Sequence, residues 1–134
     1  MRKLIAALVL LPTAALAQSF TTAAEVKPIL MATKANWIAV RDYDRQDLLY
    51  FTNLLAWRCG VSHVFYAVNE ADPVELDMEP CHEGTAQPNA LLMDQALPYV
   101  TLPQGSVQTV TVGVVFDDDS HEAASFERKA VLIP

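Results

Sequence analysis

Glycine is scarce, with four in 134 residues, and none of them builds the glycine-rich loop whose backbone N–H groups would cradle a phosphate. Basic residues are few, nine Lys and Arg against sixteen Asp and Glu, for a formal charge of −7. That balance argues against nucleic acid and anionic lipid as partners, because both need clustered cations to displace counterions. Long apolar runs are missing beyond the N-terminus. Leu48–Trp57 and Val107–Phe116 are interrupted by polar residues or Gly and fall short of the roughly 18 residues that span a bilayer, so no transmembrane segment is expected in the mature chain. The two cysteines do not form a C-x-x-C redox motif. Gly60-Val61-Ser62-His63-Val64 supplies only half of the G-x-S-x-G nucleophile elbow and has no strand-to-helix context. The three histidines, His63, His82 and His121, show no metal-ligand spacing. Internal repeats and low-complexity linkers are also absent.

What the chain does have begins with an export pattern. Arg2 and Lys3 precede the apolar run Leu4–Leu11, and Ala15-Leu16-Ala17 offers small residues around a cleavage point before Gln18. Residues 1–17 therefore read as a signal peptide and 18–134 as a single globular domain. Removing the leader takes away two basic residues and no acidic ones, so the mature chain is more acidic still. Gln18 stands where a lipid-anchored product would carry cysteine, which predicts an unanchored periplasmic or secreted protein.

Thr21 and Thr22 before Ala23-Ala24-Glu25 cap a helix whose Val26, Ile29, Leu30 and Thr33 recur at helical spacing to about Lys34, with Pro28 read as lying near the tolerant first turn. From Trp37 the period changes to two. A hairpin is expected with its turn at Asp44-Arg45-Gln46 and Leu48-Leu49-Tyr50-Phe51 returning. Residues 47–59 fit a strand or a helix capped by Asp47 and closed by Gly60, the strand being favoured. Val64–Val68 and the alternating Val74, Leu76 and Met78 make a second hairpin, with Glu75, Asp77 and Glu79 on a wet face or a charged edge. Residues 80–105, punctuated by Pro80, Pro88, Pro98 and Pro103, read as a long crossover with at most two helical turns over Ala90–Leu97. Val110–Phe116, a turn at Asp117–Ser120 and Ala124–Ile133 form a third hairpin. The expected fold is α+β, an antiparallel sheet or compact sandwich of about six strands in three hairpins with one N-terminal helix, a pure β-sandwich being the alternative.

In an exported chain an even cysteine count reads as a disulfide. If the second hairpin turns around residues 70–72, Cys59 and Cys81 come within a couple of residues of facing each other. A bond between them should stabilise the fold by roughly 3 kcal/mol. A nucleophilic Cys81 assisted by His82 is the less favoured reading. Asp117-Asp118-Asp119 and the group Asp42, Asp44 and Asp47 form two acidic tips, read as solvated turns because no complete calcium-ligand set accompanies them. Arg58 and Arg128 sit in apolar contexts, where carboxylate partners are expected.

Trp37, Tyr43, Tyr50, Trp57, Tyr66 and Tyr99 exceed what a small core needs, so some of them can form a recognition face, for which Tyr43 and Tyr50, flanking the first hairpin turn, are the candidates. The reading is a small exported, non-enzymatic protein that binds a protein or surface component through an aromatic-bearing sheet face. Its alternatives are a divalent-cation binder using the acidic tips and a small exported hydrolase whose carboxylates or histidines meet only in the fold. No catalytic residue, metal site or cofactor is assigned.

Overall fold

A computed structural model describes residues 4–10 and 19–134. The expected cleavage site at Ala15-Leu16-Ala17 lies outside those residues, and 4–10 are exposed with no regular secondary structure. The fold is α+β, with two four-stranded, mostly antiparallel sheets packed over a common core. The expectation of about six strands and one helix is thus too small on both counts.

The first helix, α1, spans Ala23–Ala32. Thr22 Oγ1 accepts from the N–H of Glu25 (3.2 Å) and donates to its carboxylate (2.9 Å), a reciprocal cap that fixes the start. Pro28 is the sixth helical residue rather than a first-turn one, so the helix forgoes one interior hydrogen bond there. Ala23, Val26 and Leu30 face the core. A single 3₁₀ turn, Lys34–Asn36, follows.

Strands β1 (Ala39–Tyr43) and β2 (Gln46–Tyr50) form the first expected hairpin, with Tyr43 opposite Gln46. Asp44 and Arg45 both take positive φ (52° and 61°), the conformation that matches a two-residue loop to strand twist. Residues 47–59 prove to be strand and helix in succession: β2 ends at Tyr50, and a one-turn helix, α2 (Thr52–Leu55), and a 3₁₀ turn, Arg58–Gly60, follow. Gly60 lets that turn approach the start of α1, since a Cβ there would sit 2.6 Å from the Thr22 carbonyl oxygen.

In the second sheet β3 (Val61–Val68) pairs with β4, which is only Val74–Glu75. Phe65 faces Glu75 and Tyr66 faces Val74, a register two residues tighter than the expected one. Continued along both segments it sets Cys59 opposite Cys81, and the disulfide joins them with their Cα atoms 5.0 Å apart.

The crossover departs most from expectation. Ala90–Leu97 forms no helix, and Tyr99–Pro103 is a strand, β5, paired antiparallel with β2. Its flanking prolines are tolerated because it lies at a sheet edge. Strands β6 (Thr109–Phe116) and β7 (His121–Glu127) make the third hairpin. The return does not run on to Ile133. It breaks into a short helix, α3 (Arg128–Val131), and β8 (Leu132–Ile133) crosses to the other sheet, where it pairs parallel with β1. The sheet orders are β5-β2-β1-β8 and β4-β3-β6-β7. Val40 and Leu49 of one sheet and Val64, Val110, Val112 and Val114 of the other are buried in the shared core. No helix among the described residues is long and apolar enough to cross a membrane.

Candidate recognition face

Opposed residues of antiparallel strands share a face, so the register of β1, β2 and β5 sorts their side chains. Val40 and Leu49 are fully buried and mark the inner face. The outer face consists of three rows: Ala39, Tyr50 and Tyr99; Arg41, Leu48 and Thr101; Tyr43, Gln46 and Pro103. Tyr43 and Tyr50, chosen from sequence for their places beside the turn, therefore lie on one face, and β5 adds Tyr99. The Tyr50 and Tyr99 rings pack with centroids 5.3 Å apart. Leu48 is buried beneath this layer.

Tyr43 is the most open of the three, 54% exposed. The Arg41 guanidinium lies 4.5 Å from its ring centroid, a cation–π contact that holds both side chains along the surface. Among the described residues no carboxylate lies within 4.0 Å of Arg41. At the Tyr50 end the face continues into an open cleft of about 540 Å³, lined by Trp37, Arg41, Tyr50, Asn53 and Ile133 among others. Apolar and aromatic carbon with Arg41, Asn36 and Asn53 in the lining, beside the C-terminal Pro134, can hold a ligand that is itself part apolar and part polar. Sequence reasoning missed Arg41, although its alternation with Tyr43 along β1 was a usable signal.

The other aromatic candidates serve the interior. Trp37 is buried and its indole N–H donates to the Leu30 carbonyl (2.8 Å), Trp57 meets Phe20 edge-on at 5.1 Å, and Tyr66 packs on Phe51 at 5.0 Å. No protein-family model, curated protein or solved structure matches the chain.

The histidines do not converge. His63 bonds Glu75 (2.5 Å) on the exposed side of β3, His82 bonds Glu79 (2.6 Å) in the crossover, and His121 opens β7. Among the described residues no three His, Cys, Asp or Glu side chains gather as metal ligands would. At the Asp117–Asp119 tip, Asp117 accepts from Ser62 (2.8 Å). Asp118 accepts from the Ser120 hydroxyl and N–H, and these bonds hold its carboxyl below the usual range.

Two acidic residues read as solvated are in fact buried. Asp47, 0% exposed, leaves the tip for the interior, where Arg128 bonds both its oxygens (2.5 and 3.1 Å) and the N–H groups of Gly105 and Val107 add a bond each (3.0 Å). The Arg128 bonds are the main cause that brings its carboxyl down to about 2. Glu79, 2% exposed, is not on a wet face but beneath the crossover against Arg58 (3.1 Å). Burial pushes its pKa up, but the Leu92 and Met93 N–H groups, His82 and Arg58 outweigh that and bring it to about 2. Both arginines thus have the carboxylate partners expected of them.

Proposed function

We propose that this chain is an exported, periplasmic or secreted protein without catalytic activity that binds a protein or surface component through the outer face of β1, β2 and β5. The observation that carries the proposal is the strand register, which gathers Tyr43, Tyr50, Tyr99 and Arg41 on one solvent-facing surface. Rigid aromatic rings give contact area at small entropic cost, and an Arg stacked on one of them is already oriented for a carboxylate. Arg41, with no carboxylate within 4.0 Å among the described residues, is available as a contact for a partner's acid. Export is supported by the leader pattern and by the disulfide, since oxidising compartments form and keep such bonds.

Partners captured from the native exported fraction should be lost by Tyr43→Ala and by Arg41→Ala, each weakening binding by roughly 1 to 3 kcal/mol without moving Tm. Retention of the same partners by the double variant would overturn the assignment to this face. N-terminal sequencing of the exported form tests the leader, with Gln18 the expected first residue.

A further inference from the structure

The two sheets end in four edges, and three of them carry features that block further pairing. Strand β5 is flanked by Pro98 and contains Pro103, β8 has two residues followed by Pro134, and β4 has two residues preceded by Pro73. Proline, shortness and charge are the usual means by which an edge avoids adding a strand. Strand β7 has none of them in its middle. Its seven residues, His121–Glu127, contain no proline, and Ala123-Ala124-Ser125 carry no charge.

The hydrogen-bond phase of the β6–β7 hairpin shows which groups of this edge are unused. Phe116 N–H bonds the Ser120 carbonyl (2.8 Å) and Arg128 N–H bonds the Gln108 carbonyl (2.8 Å). Bonded pairs alternate along an antiparallel ladder, so Glu122, Ala124 and Phe126 spend their backbone groups on β6, while those of His121, Ala123, Ser125 and Glu127 point away from it. Among the described residues nothing bonds these outward groups. The same four side chains are exposed.

We propose that β7 pairs antiparallel with β7 of a second copy about a two-fold axis at Ala124, joining the two β4-β3-β6-β7 sheets into one. A two-fold axis perpendicular to the sheet keeps each residue on its own face, and this register opposes Ala123 to the partner's Ser125 and His121 to the partner's Glu127. Every outward backbone group of the four residues then finds a mate. Both ends of the interface place an imidazole across from a carboxylate, and the centre is small and neutral. Glu122 projects from the opposite face, where Lys34 of its own chain lies 3.7 Å away, so it adds no like charge to this row. The surface is separate from the tyrosine face and does not depend on it.

Sedimentation equilibrium of the chain over a wide concentration range should show a reversible monomer–dimer equilibrium. Ala123→Pro removes an N–H that β6 does not use, so it should abolish the dimer while the monomer stays folded. Ala123→Lys, which adds a charge at an exposed position, should do the same if the proline variant fails to fold. His121→Glu and Glu127→Lys should each weaken association several-fold, and the double variant should restore it. Within one chain the two residues are six apart, roughly 20 Å along a strand, so rescue requires contact between copies. A chain that stays monomeric throughout, a dimer indifferent to both Ala123 variants, or a double variant that fails to rescue would overturn the proposal.

Discussion

Arg58 and Arg128 are each paired with a buried carboxylate, yet the two networks are built around opposite partners. Around Arg58 the guanidinium is the centre. It is 3% exposed and donates to the carbonyl oxygens of Leu55, Glu79, Pro80, Asn89 and Ala90 as well as to the Glu79 carboxylate. Around Arg128 the carboxylate is the centre, with Asp47 accepting from the guanidinium and from two backbone N–H groups. The local chain explains the difference. Residues 76–98 contain no helix or strand, so their buried carbonyls have no ladder to join and must find donors elsewhere. One arginine supplies several donors in a fixed plane, and the Cys59–Cys81 bond holds the same segment beside it. Asp47 and Arg128 instead join elements that already have their own hydrogen bonds, β2 and the start of α3, and add the 105–107 turn to them.

The largest effect should come from breaking the guanidinium-centred network. Arg58→Met leaves Glu79 buried without its cation and strands several carbonyls, so it should destabilise the chain by about 4 kcal/mol or more in denaturant titration. Arg58→Lys should recover little, because an ammonium cannot reproduce the planar fork. An Arg58→Met chain no less stable than Arg128→Met would erase the contrast. Next in size, Cys59→Ala should cost roughly 3 kcal/mol and loosen the same crossover, visible as faster amide exchange at Leu92 and Met93. Arg128→Met should cost about 2 to 3 kcal/mol, since Asp47 keeps its two backbone donors. Exchange at Gly105 and Val107 should rise while Leu92 and Met93 stay protected.

The two buried carboxylates also make the stability depend on acid. Asp47 and Glu79 titrate at about 2 in the folded chain, against about 4 when unfolded. Depressed folded values mean that the unfolded chain binds protons first. Their contribution is complete above about pH 5 and is lost as pH falls through 4 toward 2. Asp47→Asn should flatten part of that acid slope. An acid slope left unchanged by Asp47→Asn would show that the burial of Asp47 has no bearing on acid sensitivity.

Parts of this architecture were legible because their causes are local. The Thr22 cap, the alternation through β1, β3 and β6, and the two-residue turn at Asp44-Arg45 are written within a few residues of where they act. The cysteine pairing was legible from hairpin register, and the paired state of both arginines from the cost of an isolated buried charge. The burial of Glu79 and Asp47 was not. Glu75, Asp77 and Glu79 alternate alike in sequence, and only the fold of the crossover covers the last of them. Strand β5 was hidden by prolines that an edge position tolerates, and β8 is too short to carry a period. On the tyrosine face, Tyr43 and Tyr50 could be nominated from sequence, whereas Arg41 was overlooked and Tyr99 joins only through the β2–β5 pairing.

The sequence by itself determined the acidic charge, the predominance of antiparallel hairpins, the leading helix and the Cys59–Cys81 bond, because composition and short-range periodicity act before any distant contact forms. Tertiary structure alone decided which carboxylates are buried, which tyrosines share a surface and which sheet edge is left unblocked. Those outcomes depend on the pairing of strands distant in sequence, and a side chain's exposure is set by what is laid over it rather than by its own neighbours in the chain.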